Sequence, residues 1–161
     1  MRGMPNAFRR RAAVKPRRVI DACVLIASLM RDIPGCAQYL AGLTVQHHGY
    51  ITHALLGEVW YGTVNHVRDA FVRQRLYQYV DGLFAEQRLH MLPLVRVSPE
   101  LVGSFRTLLP FLSEDDALHL AEARTHGFSD FVTTDEELTA PRNALRLSKL
   151  GIRIFDPTRI S

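Results

Sequence analysis

Short apolar runs that stop at an acid, each giving way to a helical stretch, restrict this chain more than any other feature of its sequence. Arg18-Val19-Ile20 leads straight into Asp21, and Phe131-Val132-Thr133 leads through Thr134 to Asp135. Runs this short and this apolar suit strands buried on both faces, which is the habit of parallel sheets. Further strands are expected at Tyr50-Ile51 and at Ile152-Arg153-Ile154-Phe155. Another is expected at Met91-Leu92-Pro93-Leu94-Val95, where the proline argues for a sheet edge.

Helices fill the intervals. Ala22 to Met30 is apolar nearly all round and reads as a buried helix. Pro34-Gly35 is expected to break the chain before a second helix at about 36–43. Thr52 and Asp69 stand where N-caps are needed, the first ahead of Leu55, Leu56, Val59 and Trp60. The second precedes Phe71, Leu76, Tyr79, Val80, Leu83 and Phe84 at helical spacing. Ser98-Pro99-Glu100 opens another helix. Ser113, with Asp116 three residues on, has the spacing of a capping box, and Gly127 ends the helix that it starts. Strands alternating with helices predict an α/β fold: a central parallel sheet of about five strands, helices on both faces, three layers in all. In such sheets ligand chemistry gathers beyond the carboxyl ends of the strands, near the switch point of the strand order.

The 161 residues suffice for one domain with a real core. Charge is unevenly placed. Residues 1–18 carry seven basic side chains and no acid, whereas residues 19–161 carry 13 basic and 16 acidic ones. We therefore divide the chain into a basic, flexible N-terminal arm over 1–17 and a mildly acidic domain over 18–161. Such an arm can meet phosphates of a polyanion, or serve only as a solvated tail. No apolar run is long enough to span a bilayer, and no apolar segment follows the basic start as a secretory signal requires. A cytoplasmic protein without membrane partners is expected. Cys23 and Cys36 have no C-x-x-C companion, so neither a zinc site nor a disulfide is predicted.

On this layout Asp21 and Asp135 follow strands, Glu58 lies one to two turns into the Thr52 helix, and Asp116 lies in the first turn of the Ser113 helix. All four would then face one end of the sheet. Carboxylates gathered so closely repel unless a cation neutralises them, and all-oxygen donors suit Mg²⁺ or Mn²⁺. Phosphodiester hydrolysis is the reaction that uses such a cluster. Each acid also has a plain structural reading. Asp21 would cap a helix, Glu58 would sit in a buried ion pair, Asp116 would answer Ser113, and Asp135 would start a turn or cap at Glu136.

Five segments resemble the PIN-domain family, in its order, over about residues 18–157. Val19-Ile20-Asp21-Ala22-Cys23-Val24-Leu25-Ile26 is similar to its opening strand and acid, and Ile51 to Val59, reaching Glu58, to its second acidic motif. Leu112 to Ala123, with Asp116-Ala117, resembles the third, and Val132-Thr133-Thr134-Asp135 the fourth. Gly151 to Pro157 looks like the closing strand. Within the family the nearest look is to VapC-like toxins of prokaryotic toxin–antitoxin pairs. The resemblance implies a Mg²⁺- or Mn²⁺-dependent endoribonuclease acting on RNA, an antitoxin partner and a homodimer. It also implies Asp21 and Asp116 as principal metal ligands, with Glu58 and Asp135 completing the catalytic pocket directly or through water. Thr134 and Ser113 would orient water or phosphate, with Asp115 a spare acid. The chain departs at Ala22, where the family often carries Ser or Thr.

His47, His48 and His53 are expected to be surface or packing groups, and His119 a structural residue beside an apolar helix face. The aromatic series Phe71, Tyr77, Tyr79 and Phe84 is expected in the core or at a dimer face. Arg68, Arg73, Arg75 and Arg88 would either flank an RNA path or decorate solvated helices. Three rivals compete with the nuclease. An RNA- or partner-binding module without catalysis is motivated by Ala22. A phosphoacceptor receiver domain needs a paired acid at the first strand and a lysine after the last, whereas Asp21 stands alone and Lys149 comes early. A flap-type DNA nuclease needs a helical arch that this short chain does not display.

Overall fold

The computed structural model describes residues 14–30 and 33–159, so most of the arm expected at 1–17 lies outside the described residues. The elements are β1 (Arg17–Ile20), α1 (Ala22–Met30), α2 (Pro34–Ala41), β2 (His48–Ile51), α3 (His53–His66), α4 (Ala70–Ala85), β3 (Leu89–Met91), α5 (Pro99–Leu108), α6 (Glu114–Thr125), β4 (Asp130–Val132), α7 (Glu136–Thr139), α8 (Pro141–Lys149) and β5 (Arg153–Phe155). The five strands form one sheet in the order β3-β2-β1-β4-β5, every pairing parallel. From β1 the chain steps outward through β2 to β3, then crosses to the other side of β1 for β4 and β5. With right-handed crossovers, that reversal covers one face of the sheet with α1 to α4 and the other with α5 to α8. The expected three-layer α/β architecture is the observed one.

The sheet is buried because its strand residues are apolar on both faces: Val19, Ile20, Ile51 and Val132 are fully covered, and Phe131 nearly so. Caps end the helices where the sequence places them. The hydroxyl of Thr52 accepts from the amide of Leu55, and Asp69 Oδ1 accepts from Phe71 and Val72. Ser98 accepts from Leu101, and Ser113 and Asp116 form the complete reciprocal box. Gly127, at φ +78°, supplies the left-handed residue that closes α6.

Three expectations change. Pro34 does not break the chain but opens α2 at its first turn, where a missing amide hydrogen costs nothing. Gly35 is needed there because a Cβ would lie 2.6 Å from the Pro157 carbonyl oxygen. The third strand is Leu89–Met91, two residues ahead of the expected run, and Pro93 falls beyond it. It does occupy a sheet edge. Finally, α8 was not anticipated, since it begins at Pro141 behind an uncapped Ala140, whereas α7 is the short helix that Asp135 caps at Glu136.

At the amino ends of the strands Asp130, 5% exposed, is gripped by Arg153, whose Nη2 lies 2.9 and 3.0 Å from its two carboxylate oxygens. The guanidinium of Arg18 stands 3.9 Å away and stacks over Phe155. Removing the acid strands a covered cation. Because Arg153 is exposed and only Arg18 is covered, Asp130→Ala is expected to cost about 2 kcal/mol of unfolding free energy, the range for losing hydrogen bonds to a charged group. Urea unfolding measures it, and a loss below about 1 kcal/mol would mean that the cluster is no more than a surface contact.

Candidate active site

β1 and β4 lie side by side at the point where the strand order reverses, and their carboxyl ends open onto a hollow of about 610 Å³. Asp21, Ala22, Cys23, Glu58, Asp116, Thr134 and Asp135 line it, together with Ile26, Tyr61, Gly62, His66 and Glu136. The topology explains this convergence. Asp21 leaves β1 and Asp135 leaves β4 at that edge. α3 follows β2, so its early residue Glu58 stays close to the edge. α6 feeds into β4 and runs back against it, which puts its first turn, with Asp116, at the same end. All four acids expected from the sequence therefore border one space. Ser113 stands at its margin through its bond to Asp116, and Asp115 is exposed and does not line it.

Each acid has its own partner. Asp21 Oδ2 accepts from the hydroxyl of Thr133 at 2.6 Å and from the thiol of Cys23 at 3.3 Å. No backbone amide among the described residues bonds its side chain, so it is not a side-chain helix cap. Burial drives its pKa above the ordinary value, the two hydrogen bonds oppose that rise, Glu58 adds to it and His119 subtracts. Asp116 Oδ2 takes the Ser113 hydroxyl at 2.6 Å, and Asp135 Oδ1 takes the Leu138 amide at 2.8 Å as the cap of α7. The structural and the site readings of these two residues thus hold together, since each carboxylate has a second oxygen to offer.

Two residues near the acids escaped sequence reasoning. The hydroxyl on Asp21 belongs to Thr133, fully buried, whereas that of Thr134 donates to Cys23 Sγ at 3.3 Å. A hydroxyl is thereby supplied to the first acid from β4, although Ala22 offers none. His119, read as structural, places Nε2 3.3 Å from Glu58 Oε2. Its pKa is raised: burial alone would lower it, but Glu58, Asp21 and Asp116 together outweigh that. The signal was present in the spacing, because His119 lies three residues after Asp116 on one helix face. Tyr61, three after Glu58, shares the hollow for the same reason. Cys23 is a poor nucleophile here, its thiol pushed up to about 12 by burial and by Asp21.

The remaining candidates have other tasks. His47 is buried and stacks on Tyr39 at 4.1 Å between ring centroids, while His53 is exposed. Arg73 bonds the carbonyls of Val67 and Arg68, and Arg88 those of Leu40 and the side chain of Glu86. Leu76, Val80 and Leu83 are core, Tyr77 packs edge-on against Trp60, and Phe71 is exposed.

Does the hollow suit a hard divalent cation? Its lining holds five carboxylates, Asp21, Glu58, Asp116, Asp135 and Glu136, and no Lys or Arg. Among the described residues Asp21, part-buried, has no ion pair of its own, which a cation would supply. Among the described residues no three His, Cys, Asp or Glu side chains lie close enough to grip one ion together. Mg²⁺ and Mn²⁺ do not require that, since they keep waters and bind through one or two carboxylates plus substrate phosphate. The oxygen-rich ring fits.

A parallel sheet with acids at its switch point defines the structural class, and comparison with known proteins defines the family. The family model described as PIN domain matches residues 18–143, and the chain belongs to that family. A search of curated proteins finds no match. Among solved structures, the chain is similar in fold to VapBC2 from Rickettsia felis bound to a promoter DNA fragment, with TM-score 0.61 and 13% identity over 87% of this chain and 98% of that one. It is also similar to FitAcB from Neisseria gonorrhoeae, with TM-score 0.63 and 13% identity over 89% and 99%. DNA-bound VapBC from Salmonella typhimurium follows at TM-score 0.59 and 19% identity over 88% and 98%. At such identities the likeness is one of fold.

The raised pKa of Asp21 carries a stability consequence. A carboxylate protonated more readily in the folded state binds more protons there, so it costs stability as pH rises above about 3.8, its ordinary value, and the full cost stands above its folded pKa. Asp21→Asn is therefore expected to unfold at a higher temperature than the parent in EDTA at neutral pH, the gap closing as pH falls towards 4. Equal midpoints at pH 7 would contradict the assignment of repulsion and burial to this residue.

Proposed function

We propose that this protein is a metal-dependent endoribonuclease that hydrolyses RNA phosphodiester bonds, and that it acts as the toxin of a toxin–antitoxin pair. The observation that carries the proposal is the convergence of Asp21, Glu58, Asp116 and Asp135 on one hollow at the strand switch point. Asp21 and Asp116 would hold Mg²⁺ or Mn²⁺, with Glu58 and Asp135 engaging it directly or through water. Such an ion lowers the pKa of water towards neutrality and offsets charge on the departing oxygen.

The chain's own residues set the stage. Thr133 fixes the Asp21 carboxylate, and Ser113 fixes that of Asp116, so neither spends rotamer freedom on binding. Asp135, bound to the Leu138 amide, is steadied in the same way. Thr134, on the wall of the hollow, is in place to orient water or the scissile phosphate. The acidic lining repels RNA phosphates until the cation is bound, which makes substrate binding dependent on metal.

The toxin role draws on the fold neighbours, which include VapBC and FitAB assemblies and a toxin-antitoxin complex from Klebsiella pneumoniae. An antitoxin partner, a homodimer and a cytoplasmic location belong to this proposal. So does the basic arm, as a holder of polyanion phosphates. Among the described residues no helix is long and apolar enough to cross a membrane.

One observation favours a second reading, a PIN-fold RNA- or partner-binding module without catalysis. No three candidate ligands stand within grasp of one ion among the described residues. A single set of assays separates the two. With Mn²⁺ the purified protein is expected to cleave single-stranded RNA, and Asp116→Asn to reduce the rate by about a hundredfold or more. RNA binding without metal that persists in Asp21→Asn, together with no cleavage, would select the binding module instead.

A further inference from the structure

We propose that His119 is a positioning residue that holds the Glu58 carboxylate inside the hollow. This inference rests on reading the hollow as the reaction centre.

Glu58 differs from the other three acids. Asp21, Asp116 and Asp135 each receive a hydrogen bond from a hydroxyl or an amide close by. Glu58 has the longest side chain of the four, is 44% exposed, and has no hydrogen bond or second ion pair among the described residues. Left alone, such a carboxylate spreads over its rotamers and favours solvent.

Among the described residues, His119 is the polar group placed to prevent this. Its side chain is 8% exposed, and it reaches Glu58 Oε2 with Nε2 at 3.3 Å. Neither ring nitrogen has a well-formed hydrogen bond among the described residues, so the ring has no other polar engagement to satisfy it. A packing residue at this position would be apolar, because a buried imidazole without a partner is costly. The geometry of α6 makes the brace economical: Asp116 and His119 occupy one face, so the helix that presents one acid also locates another from α3. Both Asp21 and Glu58 lie near enough to influence the ring's charge. His119 itself touches no reacting atom in this account; it acts through Glu58.

The test uses the full-length protein in two parts. In metal-free protein, Glu58→Gln is expected to shift the side-chain ¹⁵N resonances of His119, whereas Glu136→Gln, on the same hollow, leaves them in place. Unshifted resonances in Glu58→Gln would overturn the brace whatever the metal does. The second part measures Mn²⁺ binding by calorimetry, with kcat and KM for RNA cleavage. His119→Leu is expected to weaken Mn²⁺ binding roughly tenfold and to lower kcat more than KM. His119→Gln, which retains an N–H near the place of Nε2, restores both to within about threefold of the parent. In a Glu58→Gln background His119→Leu adds no further loss. Parental Mn²⁺ binding in folded His119→Leu, or an undiminished loss in the Glu58→Gln background, would show His119 to be packing alone. If the parent itself binds no Mn²⁺, the nuclease reading fails separately, and the resonance shifts still decide the brace.

Discussion

Bringing four carboxylates to one edge of a sheet costs electrostatic energy, and much of the local structure around the hollow can be understood as a response to it. Thr133, Ser113 and the Leu138 amide each direct a hydrogen at one acid, and His119 sets a ring nitrogen against the fourth. Helix beginnings at Ala22, Glu114 and Glu136 add the positive ends of their backbone dipoles on the same side. These donors oppose the cost without cancelling it: the pKa of Asp21 stays raised, chiefly by burial, with Glu58 adding a smaller part. Under the proposed function, a bound cation would relieve this cost.

The opposite end of the sheet has the complementary character. Arg17 and Arg18 open β1, Arg153 opens β5, and the buried Asp130 between them is neutralised by two guanidinium groups. Arg17 packs over the rings of Tyr50 and Phe128, while Arg18, over that of Phe155, is packed as well as paired. The strands thus run from a basic, internally compensated end to an acidic, uncompensated one. Charges that are already partnered have little to gain from a ligand; the acidic end has a great deal.

Much of this was legible beforehand. Strand residues such as Val19-Ile20 and Phe131-Val132 are apolar in succession, and caps such as Thr52, Asp69, Ser98 and Ser113 are local chemistry that distant contacts do not alter. The four acids could be named because each sits next to such a local signal. Residues whose roles depend on a partner far along the chain were less visible. Thr133 lies 112 residues from Asp21, and only the pairing of β1 with β4 makes them neighbours. His119 looked like an ordinary helix residue because its partner Glu58 is carried by α3. The all-apolar character of α1 likewise had a second cause, since Cys23 and Ile26 face the hollow while Val24 and Leu25 face the core.

The sequence by itself determined the alternation of strands and helices, the caps and the identity of the acids, because hydrophobic periodicity and capping act over a few residues. Only the tertiary structure decided the strand order β3-β2-β1-β4-β5, and with it which hydroxyl meets Asp21 and which ring meets Glu58. Strand order follows from how whole layers bury their apolar faces against one another, a global balance that no local window of the chain records.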